Sequence, residues 1–523
     1  MAPKSRLKKI ITSVAKVAFS RGLGLVLALG VSALLANRLG TSEAADAFFF
    51  ARRLAMGFSE AASRISNVML VPGLVAILAT GDVARVRKVW RRYQLRVLLW
   101  VLPVAIAGAV LAPAIVRLVG PGLSTHGSEL AGALLRVMIF IIPVTVFRAI
   151  SASMLNAGRV FGVPELMAQF SRFLLVMALL FLVPPHGVAF LAWVMLTGSF
   201  LAALTLTMIT NRSLVRIKPR PGAGQGDSSN GPGRLFLPGL LVFGVNQALI
   251  WVEYGFASTL GTGNIAVLEY GYRLMAILPG LITASLTTVM YTEFSHQMAT
   301  GDREAMFRSL ARALRAGLFI LAPIVAFMAF EGESVAGLLL HHGRFDAVAV
   351  SQTAMVMRMV AFAGIGMFLS RILIFSMYAD ESLSILRLVV LVVIINFLTR
   401  LLFIKLLIGP MGPAGIALGR SLSVFCRMMV VFFMLYRAWG RFLRLADIRN
   451  MLLVVLITLV SMGTGLLVDR QLGWTQGGSF LVRLLGLVGI AGIGFGLFLG
   501  FSAAVRLPEL TAVVAMVRRR KPV

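Results

Sequence analysis

The run MLLVVLITLVSMGTGLLV at residues 451–468 holds eighteen successive residues without a charge. A helix rises 1.5 Å per residue, so this run nearly spans a hydrocarbon core about 30 Å thick. Similar runs recur from one end of the 523-residue chain to the other. The composition agrees: 59% of residues are hydrophobic and only 13% are charged, against about a quarter charged in ordinary soluble domains. Too little polar sequence remains to cover a soluble surface.

Fourteen spans can be counted, near 11–37, 46–79, 97–119, 131–155, 162–183, 187–210, 235–260, 264–296, 311–331, 351–378, 383–408, 412–437, 449–468 and 480–505. Loop charge tests the count, because Lys and Arg concentrate in cytoplasmic loops. The start (Lys4, Arg6, Lys8, Lys9), Arg85 to Arg96, Arg212 to Arg234, Arg303 to Arg315, Arg437 to Arg449 and the tail Arg518 to Lys521 are basic. The alternate connections, Gly120–Glu129, Pro184–Gly187, Gly261–Asn264 and Gly409–Pro413, are almost devoid of Lys and Arg. An even number of spans with both termini cytoplasmic satisfies this alternation. No small-residue cleavage site closes a short apolar stretch near the start, so a removed signal peptide is not expected.

The chain repeats itself. A shift of 220 residues lays Arg53-Leu54 on Arg273-Leu274 and Ala79-Thr80-Gly81-Asp82 on Ala299-Thr300-Gly301-Asp302. A similar shift lays Arg148 on Arg371 and Ser153-Met154 on Ser376-Met377. Six spans separate the copies, so they share an orientation, an arrangement known among secondary transporters. The expected architecture is an all-α polytopic membrane protein of about 14 helices, with two parallel six-helix repeats and two further helices. Residues 1–212 form the first lobe and 213–234 a flexible cytoplasmic linker containing PRPGAGQGDSSNGPG. Residues 235–438 form the second lobe, and 439–523 the two extra spans with their basic tail.

The formal net charge of +30 reads as topology signal and contact with anionic headgroups. No basic cluster is interleaved with stacking aromatics, so nucleic acid is not an expected partner. The single cysteine, Cys426, lies among apolar neighbours and reads as a buried structural thiol. Five scattered histidines form no metal-binding pattern, and neither a nucleophile elbow nor a phosphate-binding loop occurs. No catalytic residue, cofactor or metal is expected; transport must draw on a coupling ion or the membrane potential.

Charged residues inside spans are expensive and mark pathways by default. Arg148, Arg172 and Arg371 lie where a long side chain can snorkel. In the second span Arg53, Gly57, Glu60 and Arg64 share one helical face. Glu60 and Arg64 can pair along that helix, leaving Arg53 in excess. Its repeat partner Arg273 holds the matching place in the eighth span, and Arg21 lies in the first beside Ser20. Arginines lining a water-filled vestibule would suit a polyanion such as a pyrophosphate, since guanidinium binds phosphate oxygens bidentately. The competing reading pairs these arginines with Glu60, Glu269 and backbone carbonyls. Asp46, Gln247, Glu253 and Glu269 complete the set as supporting or gating positions.

Several segments resemble the MurJ/MviN lipid II flippases: Ser20-Arg21-Gly22-Leu23-Gly24, Ala44-Ala45-Asp46-Ala47-Phe48-Phe49, Val71-Pro72, Tyr270-Gly271-Tyr272-Arg273-Leu274 with Pro279, and Leu340-His341-His342-Gly343-Arg344-Phe345. The resemblance runs from about residue 11 to 438. It implies a V-shaped alternating-access flippase with a cationic central cavity, its last two spans forming a groove for a lipid tail. By position Arg21, Asp46 and Arg273 match family residues important for function. The chain departs from the family at Leu27, at Ala55 to Glu60 and at Tyr272. The substrate implied is a polyprenyl-pyrophosphate-linked glycan, lipid II foremost, with an exopolysaccharide or O-antigen unit as the alternative. Cell-wall or polysaccharide synthesis proteins are the implied partners. A cation-coupled drug or metabolite exporter would place acidic residues where this chain has arginines, and a membrane-embedded glycosyltransferase would need catalytic acids near a membrane surface.

Overall fold

A computed structural model describes residues 3–57, 83–157, 160, 162–181, 183–214, 233–380, 382–475 and 477–511. Among them helix follows helix and no strand occurs. In chain order these are α1 (Pro3–Leu39), α2 (43–57), α3 (Val83–Val110), α4 (Ala112–Val119), α5 (Thr125–Met138) and α6 (Ile141–Ala157). Then come α7 (Gly162–Phe181), α8 (Val183–Leu214), α9 (Gly233–Ser258), α10 (Asn264–Ala299), α11 (Arg303–Phe330) and α12 (Gly332–Leu340). The last are α13 (Ala347–Ala379), α14 (Ile385–Met411), α15 (Pro413–Trp439), α16 (Leu445–Leu472) and α17 (Phe480–Ala504).

Twelve stretches among the described residues are long and apolar enough to cross a membrane. The eighth expected span is the 36-residue α10, and the second begins as α2 and continues outside the described residues. From α9 onward the expected boundaries fall within about eight residues of the observed helices. The first lobe departs more. The basic stretch Arg85 to Arg96 is not a loop but the first half of α3, because Val86, Trp90 and Gln94 recur at steps of four and are all buried. The third and fourth spans are each two helices. Leu111 separates α3 from α4, with proline in the first turn of α4, and Ile139–Phe140 separate α5 from α6, whose third residue is Pro143. Proline is tolerated in the first turn because its missing N–H would have had no helical partner there.

The chain divides into two compact units. One comprises Met1–Leu237, Asn246–Ala266 and His342–Arg344. In it α7 packs against α1 and α8, and α6 against α3 and α8. A chain of polar side chains links three of these helices: Gln94 Nε2 donates to Ser151 Oγ at 3.2 Å, and Ser151 Oγ lies 3.1 Å from Thr207 Oγ1. The short segment His342–Arg344 joins this unit through the Arg344 N–H, which donates to the Asn37 carbonyl at 3.1 Å.

The other unit comprises Pro238–Val245, Val267–His341 and Phe345–Val523. Its frame is α13, α14 and α15, with α11 packed on α13 and on the α16–α17 hairpin. Phe319 of α11 stacks on Phe498 of α17 at 5.0 Å, within a core that includes Leu318, Val454 and Ile457. At one end Arg315 holds both Asp447 (3.0 Å) and Glu509 (3.1 Å), fastening the hairpin to α11. Cys426 of α15 is half-buried rather than enclosed.

Candidate functional site

In the first unit the chain makes a sharp turn into α10 at Gly261, Gly263 and Asn264. Gly263 has φ +91°, and a Cβ there would stand 2.8 Å from the Thr41 carbonyl oxygen, so glycine is required on both counts. The first N–H groups of a helix have no partner within it. Here Asp46 of α2 supplies one: its Oδ2 accepts from the Gly263 N–H at 2.6 Å and its Oδ1 from the Ala266 N–H at 2.7 Å. The side chain is 3% exposed, and a carboxylate at a helix N-terminus also meets the favourable end of the dipole.

One and a half to two turns further along α2, the Arg53 guanidinium lies 5.8 Å from the centre of the Tyr254 ring on α9, within reach of a cation–π attraction. Tyr254 and its neighbour Glu253 are both fully enclosed. Gly57, one turn beyond Arg53, leaves the space into which the buried Gln247 side chain extends. Arg53 thus lies on α2 near Tyr254 of α9, the helix that also carries Gln247 and Glu253. Ser20 is buried on α1, and Arg21 follows it on that helix. Glu60, Arg64 and the Arg21 side chain lie outside the described residues.

In the second unit Arg273 donates to Glu269 Oε1 at 2.7 Å, one turn apart on α10, with both side chains nearly buried. The pairing anticipated for Glu269 is therefore present. A cationic group missed in the sequence stands beside it: the Arg420 guanidinium of α15 lies 3.9 Å over the ring of Tyr272. Two more arginines are sequestered within this bundle. Arg400 of α14 is 5% exposed and donates from Nε to Ser423 Oγ at 3.0 Å. Arg427 of α15 donates to Ser370 Oγ of α13 at 2.9 Å. The signal available beforehand was a serine at similar depth on a neighbouring span, too common to be read. Of the residues expected to snorkel, Arg172 and Arg371 are exposed and Arg148 is half-buried.

The family model described as lipid II flippase MurJ matches residues 35–485. This chain belongs to the MurJ family. Its relatives include the lipid II flippase MurJ of Burkholderia cenocepacia, 23% identical over 78% of this chain and 80% of that one. A probable lipid II flippase MurJ of Vibrio cholerae is 24% identical over 97% and 98% of the two chains. Among solved structures, a MurJ in an inward closed conformation aligns with a TM-score of 0.69, 22% identity and coverage of 93% and 98%. A multidrug resistance MATE family transporter of the MOP superfamily aligns with a TM-score of 0.58, 13% identity and coverage of 80% and 94%. The MurJ-family chain is thus an integral inner-membrane transporter rather than an enzyme, built on the fold those structures share.

Proposed function

We propose that this MurJ-family protein flips lipid II, the polyprenyl-pyrophosphate-linked peptidoglycan precursor, from the inner to the outer leaflet of the bacterial cytoplasmic membrane by alternating access. Family membership over most of the chain carries this reading. The arginines on its spans support it: Arg21, Arg53 and Arg273, with Arg64 further along the second span, are the cations we assign to the pyrophosphate. Guanidinium groups offer phosphate oxygens paired donors that an ammonium cannot. Asp46 acts as a gate-holding residue, and Ser20, Glu60, Gln247, Glu253 and Glu269 orient or compensate the arginines. Both termini face the cytoplasm, where the basic loops meet anionic headgroups. An ion gradient or the membrane potential drives the cycle, and cell-wall synthesis proteins receive the product.

The test is growth of a bacterium whose resident lipid II flippase is depleted, with this gene as the sole replacement. Lipid II reaching the outer leaflet is measured at the same time by extracellular enzymatic cleavage. Rescue with restored outer-leaflet lipid II is the expected result. A well-inserted protein that exposes no lipid II would overturn the assignment and leave a polysaccharide repeat unit on the same carrier as the reading to pursue.

A further inference from the structure

The corner between α11 and α12 holds a polar group that substrate handling does not use. Glu331 sits at that corner, 2% exposed, and Asp469 in the last turn of α16, 3% exposed. Two hydroxyls join them. Ser334 Oγ lies 3.1 Å from Glu331 Oε2 and 2.9 Å from Thr475 Oγ1, and Thr475 Oγ1 lies 2.5 Å from Asp469 Oδ2. Three oxygen–oxygen hydrogen bonds thus run in line from Glu331 to Asp469, and each needs a hydrogen. Ser334 and Thr475 supply one each, and an ionised carboxylate supplies none. The third hydrogen must belong to a carboxyl group.

The surroundings say which. Asp469 accepts on both oxygens, Oδ1 taking the Thr475 N–H at 3.2 Å. Glu331 Oε1 is enclosed and meets no hydrogen-bond donor. A buried oxygen without a donor is far cheaper to leave on a neutral acid than on a carboxylate. We infer that Glu331 and Asp469 form a proton-binding site, the proton residing on Glu331 and relayed in hydrogen bonds through Ser334 and Thr475, and that this proton fastens the turn after α16 to the α11–α12 corner.

Burial, then the negative charge of Asp469, pushes the Glu331 carboxyl above the usual carboxylate range, while the Ser334 hydroxyl, Arg358 and Arg470 oppose that shift without cancelling it. The other charged group here is Glu333 on α12, which pairs with Arg358 of α13 at 3.6 Å and is more than half exposed. Because the carboxyl is raised in the folded protein, the fastening is complete in acid and is lost as pH rises through its own pKa. Loss of the proton places a second anion in an enclosed site and leaves one hydrogen bond of the chain without a hydrogen. The turn it holds carries Gly473, Trp474 and Thr475 and continues through Gly477 and Gly478 into α17. On the orientation proposed above, this end of α11, opposite its basic start, faces outward and senses external pH.

The experiment uses the full chain in lipid nanodiscs, without substrate, so its outcome is independent of lipid II flipping. Infrared difference spectra of wild type at low pH should show a protonated-carboxyl stretch that Glu331→Gln removes. A nitroxide label at Gly477→Cys, with Cys426→Ser, should be constrained at low pH and become mobile as pH rises through the raised Glu331 pKa. In Glu331→Gln the amide N–H takes the place of the acid proton, so the label should stay constrained throughout. Thr475→Val breaks the chain and should leave the label mobile at every pH. If Glu331→Gln removes no carboxyl band from the wild-type spectrum, the proton assignment is overturned. A mobility transition unchanged in Glu331→Gln, or absent from wild type, would overturn the fastening.

Discussion

Asp46 Oδ1 accepts the backbone N–H of Ala266 at 2.7 Å across 220 residues of chain, the same offset at which the sequence repeats. Its second oxygen takes the Gly263 N–H, so one enclosed carboxylate caps the first turn of α10 from another helix. Removing it leaves two buried donors unsatisfied. Asp46→Ala should lower stability by about 1–3 kcal/mol and reduce flipping. Asp46→Asn keeps one acceptor oxygen and should lose less of both. Thermal unfolding in detergent, together with outer-leaflet lipid II normalised to protein level, checks the order; equal behaviour of the two variants would contradict the capping role.

Arg53 and Tyr254 separate charge from anchoring. The ring at 5.8 Å contributes about 0.5–2 kcal/mol and is kept in Tyr254→Phe, which should retain more flipping than a variant without a ring. Tyr254→Leu removes the π face and should lower flipping by misplacing the guanidinium. Arg53→Lys keeps a cation but not the paired donors, so it should retain only part of the activity. Normal flipping by a well-expressed Arg53→Ala variant would remove this residue from the substrate path.

The Glu269–Arg273 pair poses the opposite problem, since a 2.7 Å bridge can be structural. Breaking one side of a fully buried pair costs about 3–5 kcal/mol, and replacing both sides is often nearly neutral. Arg273→Gln alone should therefore reduce the amount of protein in the membrane. The double variant Glu269→Gln/Arg273→Gln should recover that level yet still fail to flip. If the double variant flips normally, the arginine serves only the fold.

How much of this could be read in advance follows from the range of the interactions. Apolar length and loop charge are local, so the helices from α9 onward lie close to where the sequence places them. The helical course of Arg85 to Arg96 was also written locally, in the steps of four between Val86, Trp90 and Gln94, but the basic residues masked it. The capping of α10 by Asp46, the ring of Tyr272 under Arg420 and the burial of Arg400 against Ser423 join distant segments. A single sequence shows that such residues are polar and inside a span; it does not show which partner each one finds. Tyr272 appeared only as a departure from the family pattern, although its ring holds a cation.

Asp380, at the end of α13, gives the fold a pH signature. Burial pushes its carboxyl up, but the Ser382 hydroxyl and N–H, the Trp439 Nε1–H at 2.7 Å and the nearby Arg303 outweigh it and hold the group below the usual range. A depressed carboxylate stabilises the fold above its unfolded pKa, and that contribution fades as pH falls through its folded pKa. Wild type should lose thermal stability faster than Asp380→Asn on acidification, because the amide has no charge to lose. The two melting curves, separated at neutral pH, should converge in acid; a constant separation would contradict the charge-based role.

The orientation can be tested with single cysteines in a Cys426→Ser background, and the structure decides where to put them. Ser258 falls in an expected outer segment but is 2% exposed, with its hydroxyl accepting the Gly122 N–H at 3.2 Å, so a thiol there would be silent for reasons unrelated to sidedness. Ser124 caps α5 and hydrogen-bonds Glu43, yet its residue is exposed. Gly477 is exposed in the turn before α17. Both belong to connections poor in Lys and Arg, which the charge rule places outside. Ser229 lies between Arg212 and Arg234, in a connection the same rule places inside. In intact cells an impermeant maleimide should label Ser124→Cys and Gly477→Cys but reach Ser229→Cys only after the membrane is permeabilised. Labelling of Ser229→Cys before permeabilisation, with the other two protected, would invert the topology and turn the basic loops outward.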